Sequence, residues 1–461
     1  MDFKKLERFI FDKVSATRLP GLSIALVDSD KVVWQRGFGF RDLERGLKAT
    51  SATLYAIGSV TKSFTAVAIQ QLAEHGKLSV DDPLEKYIPE FTIRPFGEQI
   101  KLKHLLSHSS GLPGLGFSEA RFREAMGGGG VWLPVESHKS ILYFIEDAGT
   151  WAAARPGERY FYLNEGFILL GAVIEKLTDM PYNQYVMQNI LKPLKMTHSL
   201  FERDDYDKVE DKAVPYVVGA ERREPSAYVF NPVNAKGGLI SNVEDLARYV
   251  RMHMHYGELE GMRLISTESS KAMQTGHIRT TAVDSPFGEI SYGFGLAITD
   301  DFFGTKLVGH GGSVSISTSY IGFLPEKGVG VALITNGSGY STQQFGQYVL
   351  AMMMGEDPDN LPFVQKEKVY TLLSGNYHGY RNTTQVSVKP AGDYLMLQLR
   401  DDRDALPPVP LTPVELTDKK CTFTTLSGGT SLEVEFFIEE KHISLLYERY
   451  GYRKPLSAYA D

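Results

Sequence analysis

Ser59 and Lys62 have the types and the spacing of a nucleophile and its base. They stand in Ser-Val-Thr-Lys, the only Ser-x-x-Lys in the chain. Residues three apart share one face of a helix, so the Lys62 amine would reach the Ser59 hydroxyl. A lysine removes a serine proton when desolvation lowers its pKa. The pattern predicts an activated serine, although a helix-starting serine beside a solvated lysine is the alternative.

Two later segments contain further reactive or polar side chains, Tyr162-Leu163-Asn164 and His310-Gly311-Gly312. Tyr162 has the character of a general acid or base, but also of a core aromatic residue with Asn164 capping the next helix. His310 stands in a predicted edge strand, where its alternative is a hydrogen-bonded residue that merely shapes the site. These segments alone leave both interpretations open.

Strands at both ends of the first part of the chain, with helices between them, must position these residues. Residues 22–40 form two β-branched and aromatic runs around a turn and predict a β-hairpin. From Ser59, apolar residues at three- and four-residue spacing predict a helix that stops at Gly76. Short β-rich runs return near residue 290. We expect an α/β (α+β) fold: one antiparallel sheet flanked by helices, with a mainly helical insertion over about 80–275.

A change of composition predicts a second domain. Residues 352–368 are rich in turn formers and charge, and strong alternation of apolar and polar residues follows. That alternation is typical of a small antiparallel β-barrel or half-barrel. We therefore predict a catalytic domain over 1–355, a linker over 356–368 and a β-domain over 369–461.

Composition excludes several classes of function. The 461 residues include 49 Lys+Arg and 56 Asp+Glu, a net charge of −7, and no basic stripe that would follow a phosphate backbone. The single cysteine, Cys421, excludes an intramolecular disulfide and a cysteine-rich zinc site and favours a reducing compartment. No apolar run approaches a membrane span. We expect a cytoplasmic protein without metal, cofactor, nucleic-acid or membrane partner.

Six phrases together give the chain a family resemblance. In order along residues 1–350 they are LPGLSIALVDSDKVVWQRGFG, YAIGSVTKSFTA, HLLSHSSGLP, PGERYFYLNEG, AKGGLISNVEDLARY and GHGGSVSISTS. With these phrases the chain resembles the serine β-lactamase and D,D-peptidase-like superfamily, closest to its class C, esterase and CubicO-type branch. The resemblance implies a β-lactamase/transpeptidase-like fold and hydrolysis through an acyl-enzyme intermediate. A second Tyr-x-Asn, Tyr380-Arg381-Asn382, falls out of order, and we interpret it as coincidence.

The resemblance assigns the catalytic roles. Ser59 would be the acylated nucleophile and Lys62 its proton partner. Tyr162 would act as general base, or share the proton with Lys62, and then protonate the leaving group. Whether Lys62 or Tyr162 is the base stays open at this point.

The resemblance also implies the residues that hold the substrate. Asn164 would orient Lys62 and bind the acyl-side amide of the substrate. Backbone N–H groups of Ser59 and Ser313 would form the oxyanion hole, which usually supplies a large share of such catalysis. The predicted substrate-binding and oxyanion residues are Asn164, His310, Gly312 and Ser313.

One departure from the family pattern bears on the substrate. β-Lactamases and carboxypeptidases of this family usually place Lys-Thr-Gly or Lys-Ser-Gly where this chain has His310-Gly311-Gly312. Histidine is mostly neutral at pH 7, so recognition of a substrate carboxylate there should be weaker. We predict a serine peptidase of the D-aminopeptidase or D,D-peptidase kind acting on small peptides. A carboxylesterase of the same fold and a catalytically silent binding or scaffold protein are the alternatives.

The C-terminal β-domain resembles the lipocalin-like module of some CubicO-type peptidases. In such proteins it lines the site or assembles subunits into a closed compartment. Exposed-looking aromatic residues, Tyr447, Tyr450 and Tyr452, favour an interface. We therefore expect a homo-oligomer, with a self-compartmentalising assembly as its fuller form.

Other histidines are expected to be structural. His104 and His108 would fix the loop beneath the site. The alternation His253-Met254-His255 resembles a metal-binding strand, but it falls in a helical pattern where residues two apart point in different directions. We expect that pair to lie on a solvated helix face.

Overall fold

The chain forms two compact units, Met1–Glu356 and Asp357–Asp461. The computed structural model describes residues 1–125, 135–219, 221–230, 234–282, 285–400 and 407–456.

The first unit combines helices and strands. Its helices are α1 (Phe3–Ala16), α2 (Thr61–Glu74), α3 (Leu102–Leu106), α4 (Phe117–Ala125), α5 (Ile141–Phe144), α6 (Asn164–Thr178), α7 (Tyr182–Val186), α8 (Arg203–Lys208), α9 (Val243–Met254), α10 (Thr267–Met273) and α11 (Thr342–Met354). Its strands are β1 (Gly21–Asp28), β2 (Val32–Asp42), β3 (Leu47–Lys48), β4 (Tyr55–Ala56), β5 (Tyr216–Val218), β6 (Arg223–Pro225), β7 (Ile240–Ser241), β8 (Glu258–Leu259), β9 (Met262–Arg263), β10 (Ile278–Arg279), β11 (Ile290–Tyr292), β12 (Ala297–Phe302), β13 (Thr305–Ser313), β14 (Thr318–Leu324) and β15 (Val329–Thr335).

A nine-stranded antiparallel sheet joins both ends of this unit. Its strand order is β10-β11-β12-β13-β14-β15-β1-β2-β3. Strands β1 and β15 pair directly, from Leu22 opposite Thr335 to Asp28 opposite Val329. The predicted N-terminal hairpin is β1 and β2. The prediction of one sheet built from both ends is confirmed.

Helices cover both faces of the sheet. Since successive residues of a strand point to opposite faces, neighbouring residues of one strand contact different helices. On β15, a side chain at Gly330 would meet Val250 of α9, whereas Val331 lies against Gly346 of α11. The α9 layer also holds α2, whose Phe64 ring stacks on Tyr249 at 3.7 Å between centroids. The helix that carries Lys62 is therefore buried between the sheet and the inserted helices.

The strand of His310 lies inside the sheet, between β12 and β14, so the prediction of an edge strand is wrong. The pairing explains why an edge is nevertheless available. Strand β12 pairs with β13 only as far as Ala297 opposite Gly309, whereas β14 continues to Thr318 opposite Ser313. The last residues of β13 thus have one edge that β12 does not cover.

The second unit is an eight-stranded closed barrel preceded by a helix. The helix is α12 (Pro362–Leu373), and the strands are β16 (Gly375–His378), β17 (Gln385–Ala391), β18 (Tyr394–Arg400), β19 (Val409–Leu416), β20 (Lys420–Ser427), β21 (Thr430–Ile438), β22 (His442–Tyr447) and β23 (Tyr450–Pro455). Residues 356–368, expected to be a linker, include the start of α12. Pro362 suits the first helical turn because its missing N–H is not needed there.

The three barrel tyrosines differ in exposure, which corrects the expectation that all are exposed. Tyr447 and Tyr452 are buried, whereas Tyr450 is 41% exposed. In β22 the buried residues are Ile443, Leu445 and Tyr447, so Tyr447 follows the alternation that fills the barrel.

His253 is fully buried, so the prediction of a solvated helix face is wrong for this residue. Its ring stacks on Phe323 and meets Tyr249 edge-on. Neither ring nitrogen has a hydrogen-bond partner in the described part of the chain. Burial lowers the pKa of His253 to about 3. Its neighbour His255 is exposed and contacts the Ser29 carbonyl.

His253 makes the stability of the fold depend on pH. A histidine with a folded pKa of about 3 and an unfolded pKa of about 6.5 binds its proton only in the unfolded state between those values. Its contribution is therefore complete above about pH 6.5 and is lost as the pH falls, by about 2 kcal/mol at pH 5. We expect His253→Leu to reduce the fall in thermal unfolding midpoint between pH 7 and pH 5. His255→Leu is the matched control and should keep the wild-type fall; equal behaviour of the two variants would contradict the prediction.

Candidate active site

The Lys62 amine lies at the centre of a polar cluster. Ser59 belongs to a short 3-10 turn, Gly58–Val60, that leads into α2, and Lys62 is buried in the first turn of that helix. The Lys62 Nζ lies 3.0 Å from Ser59 Oγ, 2.8 Å from Asn164 Oδ1 and 2.7 Å from the Lys236 carbonyl oxygen. The predicted contact between Ser59 and Lys62 is present.

These three contacts suit a neutral amine. The amide oxygen of Asn164 and the carbonyl of Lys236 can only accept, so they use the two N–H groups of a neutral amine. Its lone pair then faces the Ser59 hydroxyl. Burial lowers the pKa of Lys62 well below its usual range, and the positive charge of Lys236 lowers it further. Lys62 can therefore accept the Ser59 proton.

Tyr162 lies beside this cluster as a protonated phenol. Its ring centroid is 4.8 Å from Lys62 Nζ. Burial raises the pKa of Tyr162, and a hydrogen bond with Ser59 offsets only part of that rise. Burial thus favours the neutral phenol of Tyr162, as it favours the neutral amine of Lys62.

His108 fixes the backbone that carries Tyr162. The His108 Nδ1 accepts a hydrogen bond of 3.0 Å from the Leu163 N–H, and its ring lies 4.1 Å from the Tyr162 ring. Burial lowers the pKa of His108 well below its usual range, so the ring is neutral. His104 accepts from the Lys101 N–H at the start of α3. These hydrogen bonds agree with the structural roles predicted for both histidines.

At the end of β13, the Ser313 N–H is directed toward the segment that carries Ser59. The Val314 N–H donates to Ser317, so Ser313 opposite Thr318 is a non-hydrogen-bonded pair of the ladder. Its N–H therefore points away from β14. On that side lies Gly58, where a Cβ would come within 2.7 Å of Ser313 N. Gly58 has a φ of +53°, which glycine tolerates best.

Gly312 allows β13 to approach the nucleophile segment closely. A Cβ there would collide with the Ile57 carbonyl and the Ser319 hydroxyl. The Ser319 hydroxyl donates to that carbonyl at 2.7 Å. The glycine and this hydrogen bond together hold β13 against the segment that carries Ser59.

His310 uses both ring nitrogens within the protein. Its Nδ1 donates to the Gly311 carbonyl at 2.6 Å, which leaves Nε2 to accept from the Tyr292 hydroxyl at 2.7 Å. Burial lowers the pKa of His310 to about 4. At neutral pH the ring carries no charge for a substrate anion.

The predicted residues converge on one cleft of about 880 Å³. Lys62 lies behind Ser59, and the other predicted residues line the cleft: Ser59, Tyr162, Asn164, His310, Gly312 and Ser313. The sequence interpretation missed other lining residues: Ser118, Glu119, Phe122, Arg123, Lys236 and the segment 338–343. Lys236 stands within one of the family phrases, but a lone lysine gives no signal of burial.

The described ranges contain no group of three or more His, Cys, Asp or Glu side chains that could hold a metal ion. In the same ranges, no helix has the length and apolarity needed to cross a membrane.

Comparison with known proteins extends the likeness to the whole chain. The octameric penicillin-binding protein homologue from Pyrococcus abyssi is 41% identical, with a TM-score of 0.93 over 98% of this chain and 100% of that one. A D-stereospecific amidohydrolase from Streptomyces sp. is 25% identical, with a TM-score of 0.61 over 77% of this chain and 99% of that one. Protein flp from Staphylococcus aureus is 27% identical over 72% of this chain, and the match spans 63% of that relative's length.

Two family descriptions match separate parts of the chain. The description "Pab87 octamerisation domain" matches residues 358–453, the region of the barrel. The description "Beta-lactamase" matches residues 6–350, most of the chain and all the residues of the cleft. The chain therefore belongs to the beta-lactamase family, and its C-terminal region is similar to the Pab87 octamerisation domain.

Proposed function

We propose that this protein is a serine hydrolase that forms an acyl-enzyme on Ser59 and acts on small peptides with D-residues. The observation that carries the proposal is the buried Lys62 amine, whose Nζ lies 3.0 Å from Ser59 Oγ and also contacts two oxygens that can only accept. The printed description of the Streptomyces relative as a D-stereospecific amidohydrolase supports the choice of substrate.

Acylation follows from this arrangement. The Ser59 oxygen attacks the scissile carbonyl carbon while its proton passes to Lys62 Nζ. N–H groups of Ser59 and Ser313 stabilise the oxyanion. When the bond to the leaving group breaks, the Tyr162 hydroxyl donates its proton to that group, and the Lys62 ammonium returns a proton to Tyr162. Water then releases the acyl group by the same proton transfers in reverse.

The chemistry of His310 argues against an efficient β-lactamase. A neutral ring with both nitrogens engaged offers no fixed positive charge on this strand for a substrate carboxylate. The Ser59, Lys62 and Tyr162 set does not itself choose between an amide and an ester, so a carboxylesterase is the competing function.

Covalent labelling tests the acyl-enzyme. A fluorophosphonate should add once, on Ser59, because its hydroxyl lies 3.0 Å from the buried Lys62 amine that would take its proton. Mass spectrometry of the digested protein locates the adduct. Ser59→Ala should abolish the label and all peptide or ester turnover with little change in thermal unfolding midpoint. Ser338→Ala, in the same cleft, should still label; an unlabelled wild-type chain that turns over no ester or peptide contradicts the hydrolase proposal.

Separate roles for Lys62 and Tyr162 predict different substrate dependence. Loss of a general acid or base typically costs about 10²- to 10⁴-fold in rate. Lys62→Met should lose this much on both p-nitrophenyl esters and peptide amides, because both need Ser59 deprotonated. Tyr162→Phe should lose far more on amides, since p-nitrophenolate departs without a proton. Steady-state kcat/KM values measure the difference.

Tyr160→Phe is the matched control for the tyrosine, and it should retain activity on both substrates. Equal losses for Tyr162→Phe on esters and amides would contradict its role as proton donor to the leaving group.

We also propose that the barrel assembles the subunits into a closed compartment that admits small peptides. The octamerisation-domain match and the octameric relative support a homo-oligomer. Three large apolar residues of the barrel face solvent: Tyr380, Val414 and Leu426, with exposures of 78%, 63% and 73%. Exposed apolar surface of this kind supports an interface on the barrel. A cytoplasmic location stays a prediction from the single cysteine.

Light scattering tests the role of the barrel. The full chain should form an oligomer, and a chain truncated after Glu356 should have fewer subunits, because the proposed interface is lost. Leu426→Glu in the full chain should likewise reduce the subunit count, whereas Thr430→Glu, in the next strand, is its control. Equal subunit counts for the full and the truncated chains would remove this role.

A further inference from the structure

Lys236 is a cation of the cleft that the proposed mechanism leaves unused. Its backbone carbonyl binds Lys62, but its side chain turns elsewhere and lines the cleft. The ammonium donates to Ser118 Oγ at 2.8 Å and lies 5.2 Å from the Phe117 ring centroid. No carboxylate in the described ranges lies within salt-bridge distance of it. A half-buried ammonium with one hydroxyl partner has donors to spare.

Burial and the charges around Lys236 act on its ammonium in opposite directions. Burial lowers the pKa of Lys236 to about 8, and the charges of Glu165 and Glu119 oppose that fall. Glu119 and Arg123 also line this end of the cleft, but both are exposed to water, so their opposite charges are screened. An anion that reached the Lys236 ammonium would find it partly desolvated, where a charge-assisted hydrogen bond is strong.

Lys236 lies on the side of the cleft that would receive the acyl part of a substrate. Asn164 Oδ1 and the Lys236 carbonyl bind the same Lys62 atom, which places the Lys236 backbone next to Asn164. On the other side, the Tyr162 ring lies 6.4 Å from that of His310. Since Tyr162 is assigned to protonate the leaving group, the leaving group belongs on that side. The lining contributed by residues 311–318 and 338–343 is uncharged.

We propose that Lys236 is a specificity-determining residue that binds an anionic group on the acyl side of the substrate. The enzyme would then prefer acyl groups that carry a carboxylate several bonds from the scissile carbonyl. The inference rests on the proposed acyl-enzyme function and adds its substrate class. The cation that binds the substrate anion would then lie on the turn Asn234–Lys236 rather than on β13, where His310 is neutral.

Two esters of equal chain length test the preference. Mono-p-nitrophenyl glutarate carries a terminal carboxylate and p-nitrophenyl valerate a methyl group. The measured quantity is the ratio of their kcat/KM values, glutarate over valerate. Lys236→Met should lower this ratio at least about tenfold, as expected for the loss of a charge-assisted hydrogen bond. Lys236→Arg should retain most of it, and Lys327→Met, an exposed lysine outside the cleft, should leave it at the wild-type value.

The outcomes separate this inference from the function on which it rests. If both esters are hydrolysed and Lys236→Met leaves the ratio unchanged, the specificity role is overturned and the hydrolase stands. An equal loss on both esters also overturns it, because Lys236 would then act through the pKa of Lys62 or through folding.

Calorimetry provides a readout that needs no turnover. Glutarate should bind Ser59→Ala protein at least about tenfold more tightly than it binds the Ser59→Ala, Lys236→Met double variant. Ser59→Ala, Lys236→Arg protein should bind close to the former. If wild-type enzyme hydrolyses neither ester, the proposed function fails on these substrates, and this comparison still decides the anion site. Equal affinities in all three proteins overturn it.

Discussion

A buried lysine amine between two oxygens that can only accept is the constraint on which the catalytic unit depends. Lys62 has no exposed surface, and an ammonium there would lose its hydration without a carboxylate contact from the described residues. The neutral form avoids that cost and leaves one lone pair, directed at Ser59. Burial thus favours the neutral amine, and the two acceptors hold it beside Ser59.

The elements around this amine are arranged to keep the two acceptors in place. Asn164 stands at the start of α6, and Lys236 stands at the end of the turn Asn234–Lys236. They follow Lys62 by about 100 and 170 residues. The hydroxyl of Thr65 donates to the Ala235 carbonyl at 2.6 Å, and the Leu239 N–H donates to the Thr61 hydroxyl. Hydroxyl groups of α2 therefore tie the turn to the helix that carries the amine. The helical insertion serves the site by delivering these distant groups to it.

Sequence could predict those parts of the site that follow from local spacing. Ser59 and Lys62 meet because residues three apart share a helix face, and the sheet is built from both ends because its strands are at both ends. The base could not be assigned, since burial of Lys62 and Tyr162 arises from segments far away in the chain. The prediction of a solvated face for His253 was wrong for a related reason. Helical spacing shows which residues share a face, but it does not show which face the sheet covers. Lys236 gave no signal because a lysine on a turn ordinarily lies in water.

The direct pairing of β1 with β15 also determines when the sheet can be completed during synthesis. About 300 residues separate the two strands in the chain. At ribosomal rates of roughly 5–20 residues per second, β1 waits some tens of seconds for its partner. Strand β13 is made only shortly before β15, so the cleft around Ser59 is incomplete until late in synthesis. Such long-range pairing is slow to form and leaves strand edges exposed to aggregation. The same topology delays assembly of the cleft until most of the first unit has been made.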